Sequence, residues 1–388
     1  MKSAFWTYPW DLADIGVAQV CDEIRSLGFD AISMASVYHA GRFLQVRSPK
    51  RRAYFPQDGS CYFRPDPKIW SEQQIQPITS SLAREQDILC ELIELRDGGG
   101  LDVSAWTVCL HNTALGERYP DLVTRNAWGD PNSYNLCPST PAAQTYVANL
   151  VRDLSQNYRP NRIELESPNF LGFAHEHHHE KDMVGLPPEG DFLMALCFCD
   201  SCKDYARSRG IDADGVQRRV RVMVDEIVSA EKPVRIYPGF NDAGLDSFNN
   251  DSEFKAYVDL RQIHVSSLIA AAKDACHPDV DLMLIDGQDG WLAGCDHHAI
   301  AQIGLQIMLC AYDMEDCQVE KLMTYAKSLP GQASGQIGLR LGYPEYAGAQ
   351  DFAARLAQLC ALGAEGVNIY NYGLVPKGRL SWLSGQLS

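Results

Sequence analysis

No run of 18 apolar residues occurs in the 388-residue sequence, which removes a membrane-spanning helix. The first residues, MKSAFWTYPWDLADIG, carry one lysine, no apolar stretch and an acid by position 11, so they do not read as a secretory signal. A cytoplasmic location is the expectation. Basic residues are also in short supply: 34 Lys and Arg against 50 Asp and Glu give a net charge of −16. Such a surface repels phosphate, so neither nucleic acid nor an anionic membrane is expected as a partner. VRSPKRRAYF, around Lys50 to Arg52, is short and isolated and reads as a solvated loop. Neither G-x-G-x-x-G nor G-x4-G-K-[ST] follows any candidate strand, which leaves a nucleotide site without support. Internal repeats, low-complexity tracts and linkers are missing too, and one domain over residues 1–388 is the economical reading.

Cysteine is plentiful. There are thirteen, an odd count, and in a reducing compartment thiols or metal ligands are expected before a disulfide framework. Three form a C-x-C-x2-C run, Cys197, Cys199 and Cys202, and Cys137 stands upstream in a Cys-Pro turn. Bridges, a metal and free thiols all remain open from the spacing alone.

Eight short runs rich in β-branched or aromatic residues start near Phe5, Asp30, Leu101, Asn161, Val280, Leu305, Gln336 and Glu365. Between them lie amphipathic stretches with apolar residues at i, i+3, i+4 and i+7, such as VAQVCDEIRSLGF and FAARLAQLCALGA. Eight strand-helix units in a chain of this size predict an α/β fold of the (β/α)8 TIM-barrel type. PVRIYPGF at Pro233 would make a ninth strand, but its two prolines and the Asp/Asn/Gly-rich segment after it favour an irregular insertion. Long loops are expected after strand 2 (about His39 to Gln76), strand 3 (His111 to Pro138) and strand 4 (Pro168 to Asp191). Barrel active sites are built from such loops.

In RIELES, alternation along a strand puts Ile163 and Leu165 on the helix-facing side and points Glu164 and Glu166 into the barrel. Burial and like charge both raise a carboxyl pKa, and a carboxyl kept protonated near neutral pH can serve as a general acid. Glu166 lies nearer the C-terminal end of the strand and is the better catalytic candidate; a structural role for one or both is the alternative. A glycosidase needs a second carboxylate, and Asp286, Asp313 and Glu345 stand at the ends of strands 5, 6 and 7. Other strand ends suit a hydroxyl-rich ligand: His39, His111 and Asn112, Arg340, and Asn368, Tyr370 and Tyr372 on one face of strand 8. Trp6, Trp10, Trp106, Trp128 and Trp291 could add stacking faces.

Residues His175 to His179 spell H-E-x-x-H, the zinc-protease motif. The segment lies between Pro168 and Pro187-Pro188 with no apolar face beside it, so the helix that chemistry requires is not expected. A loop at the cleft mouth, with His175 or Glu176 touching substrate, and a merely solvated loop are the two readings.

The stretch NAWGDPNSYNLCPSTPAAQTYVANLVRDLSQNY, then an acidic strand, then CFCDSCKDYARSRGI, resembles glycoside hydrolase family 42 β-galactosidases and related clan A-like glycosyl hydrolases over about Asn126 to Gly210. The resemblance implies a structural zinc held by Cys137, Cys197, Cys199 and Cys202. It also implies a retaining mechanism, with Glu166 as acid/base at the end of strand 4 and Glu345 as nucleophile at the end of strand 7. Two departures stand out: the family's Asn-Glu dipeptide is Leu165-Glu166 here, and Glu345 follows a Tyr-Pro turn. The leading expectation is a glycosidase acting on small glycosides or oligosaccharides, with no organic cofactor. A metal-dependent sugar isomerase or lyase using His175, His177 and Glu166, and an inactive sugar-binding barrel, are the alternatives; a homo-oligomer is left open.

Overall fold

The computed structural model describes residues 1–175, 181–331 and 335–386. Eight parallel strands close on themselves: β1 (Lys2–Thr7), β2 (Ala31–Tyr38), β3 (Asp102–Val108), β4 (Arg162–Glu166), β5 (Asp281–Asp286), β6 (Gln306–Cys310), β7 (Gln336–Arg340) and β8 (Gly366–Tyr370). Each pairs with its sequence neighbour, and β1 pairs with both β2 (Ala4 beside Ala31) and β8 (Phe5 beside Ile369), which closes the barrel. The predicted (β/α)8 barrel is the observed fold.

Helices cover the outside because their apolar stripes match the outward strand residues. Val20 and Ile24 of Val17–Ser26, Leu322 and Met323 of Asp316–Ser328, and Leu356 and Leu359 of Ala349–Ala361 join Ile163, Leu165, Leu284 and Ile337 in one buried cluster. Chain chemistry sets where helices begin: Thr140 Oγ1 accepts from Ala143 N–H ahead of Pro141–Asp153, and Asp251 Oδ1 from Phe254 N–H ahead of Ser252–Ala275. The eighth unit is abbreviated, β8 being followed by a 3₁₀ turn, Lys377–Trp382.

The PVRIYPGF segment forms no strand. It belongs to the long excursion after β4, whose helices Pro188–Ala195, Asp200–Ser208 and Ala213–Ser229 pack on Ser252–Ala275 around a second apolar cluster containing Phe192, Phe198, Val220 and Tyr257. The loop after β2 holds a small hairpin (Phe43–Leu44 with Ala53–Tyr54) and a strand, Ser60–Cys61, antiparallel to β2. The loop after β3 holds the helix Thr113–Arg118 and a hairpin of Val123–Arg125 with Pro131–Leu136. The two loops meet where Gly59 (φ 55°) passes Asn112: a Cβ at Gly59 would lie 1.9 Å from Asn112 Oδ1, so only glycine fits.

Among the described residues, no helix is long and apolar enough to cross a membrane.

Candidate functional site

Inside the barrel the side chains form layers. Glu164 is fully buried and accepts hydrogen bonds from Trp6 Nε1 (2.8 Å), Ser33 Oγ (2.8 Å) and Asn368 Nδ2 (3.2 Å), three donors from three different strands. One layer above, Glu166 faces a cavity of about 1150 Å³ at the C-terminal end of the barrel. Its Oε2 accepts from Trp106 Nε1, and Oε1 has no protein partner among the described residues. Burial raises Glu166 to about 7; the Trp106 N–H opposes the shift and the charge of Glu164 adds to it. Ser167 then takes the left-handed conformation, φ 52°, so the chain turns away directly after the acid.

The cavity walls come from the final residues of the strands: Tyr38, Glu166, Asp286, Cys310, Arg340 and Tyr370 each end one. Trp6 and Trp106 form its floor, with ring centroids 5.9 Å apart, and the Tyr370 ring stands edge-on to both. The hydroxyls of Tyr8, Tyr38 and Tyr370 converge, with 2.5 Å between Tyr8 and Tyr370 and 3.2 Å between Tyr8 and Tyr38. On one side His39 stacks on His111 and His175 stands edge-on to His111, with centroids 4.5 Å apart in each pair. Burial lowers the pKa of His39, which favours its neutral form. Arg340 lies over the Tyr312 ring at 4.3 Å.

Of the residues singled out from sequence, Glu166, His39, His111, His175, Arg340 and Tyr370 line this one cavity. Four do not. Glu164 is committed to its three donors. Asn112 is a helix cap, accepting from Leu115 N–H and donating to Gly59 O. Tyr372 lies beyond the end of β8, where alternation has ceased, and bonds to Glu23 and Arg47 on the outside of the barrel. Glu345 is not among the cavity-lining residues: its carboxylate lies beside Arg340, 3.6 Å from Nη1, where burial and the nearby Asp313 raise it to about 7. Glu176 and the rest of the H-E-x-x-H segment after His175 lie outside the described residues.

Asp286 does line the cavity. It follows Ile285, the β5 partner of Glu166, and its carboxylate is oriented by His297 Nε2 at 3.0 Å and by Gly287 N–H at 2.8 Å; His297 Nδ1 in turn meets Tyr325 Oη at 2.9 Å. Asp313, at the neighbouring strand end, is largely exposed and lies 3.9 Å from Arg340.

Of the tryptophans, Trp10 is buried beneath the site and stacked on Tyr8, Trp291 belongs to the second cluster and Trp128 is exposed. Sequence reasoning missed Tyr38, Tyr312, Phe55 and Asp58, all on the cavity wall. Tyr38 could have been found, since it ends β2. Asp58 and Phe55 come from loop residues without periodicity, Asp58 joining two loops by accepting from Ala40 N–H and Ala114 N–H at 2.8 Å each.

Away from the cavity, the Cys-Pro turn and the C-x-C-x2-C run meet. The sulfurs of Cys137, Cys197, Cys199 and Cys202 are all buried and lie within 4.8 Å of one another, an arrangement that could hold a metal ion. Cys137 Sγ is 3.7 Å from those of Cys197 and Cys202 and 3.6 Å from that of Cys199. Tetrahedral zinc with Zn–S bonds of about 2.3 Å places its sulfurs about 3.8 Å apart, which the three distances from Cys137 match. Backbone N–H groups of Arg125 and Cys199 point at Cys197 Sγ at 3.4 and 3.5 Å, donors suited to a thiolate. None of the thirteen cysteines is in a disulfide.

No family model matches the chain, and no curated protein matches it in sequence. Its fold is similar to that of the glycoside hydrolase domain of PgaB (BpsB) from Bordetella bronchiseptica, at 13% identity and a TM-score of 0.58, covering 100% of this chain and 99% of that one. It is also similar to a β-galactosidase from the Antarctic haloarchaeon Halorubrum lacusprofundi (11% identity, TM-score 0.57, 100% of this chain and 57% of that one). A β-galactosidase from the psychrophilic Marinomonas ef1 has 11% identity and a TM-score of 0.58, with 99% of this chain and 58% of that one covered. The chain thus spans little more than half the length of the two galactosidases. At these identities the likeness is one of fold.

Proposed function

We propose that this chain is a glycoside hydrolase that cleaves O-glycosidic bonds of small glycosides or oligosaccharides, with Glu166 protonating the leaving oxygen. The observation that carries the reading is Glu166 itself: a half-buried carboxyl raised by desolvation to about 7, facing a cavity walled by indole and phenol rings. Such a group holds its proton near neutral pH, releases it as charge develops on the leaving oxygen, and can recover it from water afterwards. Indole and phenol faces accept the apolar faces of sugar rings, and Arg340, His39 and His111 offer polar groups for hydroxyls. The likeness in fold to proteins named a glycoside hydrolase domain and β-galactosidases supports the same class.

The second carboxylate is assigned to Asp286 in place of Glu345, because Asp286 shares the cavity with Glu166 and has its orientation set by His297. Asp286 stands on the strand beside Glu166, one residue beyond its register partner Ile285, and a retaining course with Asp286 attacking the anomeric carbon requires the two carboxyl groups to lie about 5 Å apart. The four-cysteine group is assigned a structural zinc, since four protein ligands leave no coordination position for water or substrate. Thirteen unbridged cysteines support a reducing, cytoplasmic location.

A panel of nitrophenyl glycosides tests the class. Release of nitrophenol from at least one member, abolished in Asp286→Ala, is the expected result. Sugar binding with no turnover on any member would leave an inactive sugar-binding barrel instead.

A further inference from the structure

The four-cysteine group is closed on one side by the helix Ser252–Ala275, whose Tyr257 hydroxyl donates to the Cys197 carbonyl at 2.7 Å. One turn further along the same helix stands Arg261, only 4% exposed. Its guanidinium carbon lies 4.9 Å from the ring centroid of Phe170 and 5.0 Å from that of Phe192. Nε, Nη1 and Nη2 have no hydrogen-bond partner among the described residues. A buried guanidinium with its donors unmatched costs far more than two ring faces return, so a counter-charge is required.

The surroundings narrow the source of that charge. Asp191 is within electrostatic reach, but burial raises its pKa, and its Oδ1 accepts from Ala174 N–H. His264, one turn beyond, is buried against Tyr205 and held neutral by burial, lowered to about 4. Burial pulls Arg261 itself down to about 10, and Cys197 and Cys202 lead the groups that push it back. Four neutral thiols carry no charge, whereas four thiolates around a divalent cation carry a net charge of −2.

We propose that Arg261 is the counter-charge of the metal-loaded four-cysteine group, a fixed cation that allows four thiolates to hold a divalent ion away from water. The inference rests on the zinc reading above and adds a role for a residue outside the ligand set. It also explains why a guanidinium is buried with no ion pair of its own among the described residues: the partner is the loaded centre as a whole.

The test compares wild-type protein with Arg261→Met, which keeps the bulk of the side chain without its charge, and Arg261→Lys, which keeps the charge. Zinc affinity is measured by competition with a chelating dye, and cobalt is substituted to read the sulfur-to-metal charge-transfer band of a tetrathiolate site. The expected result is one zinc per wild-type chain, affinity lowered at least tenfold in Arg261→Met, and most of that loss restored in Arg261→Lys. The thermal stability of metal-stripped protein gives a second readout: without the ion the charge is a liability, so Arg261→Met should then be at least as stable as wild type. Should Arg261→Met fail to fold, Arg261→Lys decides alone, near-wild-type affinity supporting the charge and a tenfold loss opposing it. Zinc bound by the wild type with unchanged affinity in Arg261→Met, or equal losses in both variants, would overturn the role of Arg261 and leave the zinc assignment standing. No zinc in the wild type would overturn both.

Discussion

Glu164 and Glu166 lie two residues apart on the inner face of β4, and their surroundings treat them in opposite ways. Glu164 accepts hydrogen bonds from Trp6, Ser33 and Asn368, while Glu166 accepts one, from Trp106, and borders the cavity. The lower carboxylate holds three strands together and the upper one is left with a reactive oxygen. Removing the first should therefore cost stability: Glu164→Ala strands three buried donors and is expected to destabilise the fold by about 3 kcal/mol, read from denaturant midpoints. Unchanged stability would mean that water or relaxation satisfies those donors.

Glu166 should behave in the reverse sense, and the sign follows from its raised pKa. The folded state holds this proton more tightly than the unfolded chain, so its contribution is fully present below about pH 4.5 and is lost as pH rises through about 7. Above that point the half-buried charge costs on the order of 3 kcal/mol. Glu166→Gln should accordingly be more stable than wild type at pH 8, with the difference vanishing near pH 4. Turnover by the wild type should decline above about pH 7 as the acid loses its proton.

Asp286 and Glu345 can be separated by chemical rescue. Azide should restore turnover of an activated aryl glycoside to Asp286→Ala and yield a glycosyl azide of inverted configuration. Glu345→Ala should retain activity, since Glu345 is not among the residues that line the cavity. The opposite pattern would return the role to Glu345.

Metal analysis should find about one zinc per chain. Cys199→Ser should lower the thermal midpoint while the folded fraction keeps its turnover, because none of the four cysteines lines the cavity. Loss of turnover on brief EDTA treatment, with the fold intact, would instead indicate a catalytic ion.

The eight strands were legible because each is a short β-branched or aromatic run between amphipathic helices, and the inward direction of Glu164 and Glu166 followed from alternation within RIELES. The preference for Glu166 followed from its place nearer the strand's C-terminal end, but the commitment of Glu164 to donors from β1, β2 and β8 was not legible, since those donors come from distant parts of the chain. The Tyr343-Pro344 turn hid the position of Glu345, and Tyr372 was misread because alternation was carried past the last residue of β8. The cysteines could be grouped through their spacing and the family resemblance. Arg261 could not, being one polar residue in a long helix until the fold buries it one turn from Tyr257, whose hydroxyl donates to the Cys197 carbonyl.

The central claim is that Glu166 is the general acid, and leaving-group dependence in Glu166→Gln tests it most directly. Aryl glycosides with activated leaving groups should still be cleaved by the variant, since they need little protonation, whereas an unactivated glycoside of the same sugar should not be turned over although it still binds. Wild-type turnover of the unactivated glycoside by Glu166→Gln would contradict the assignment.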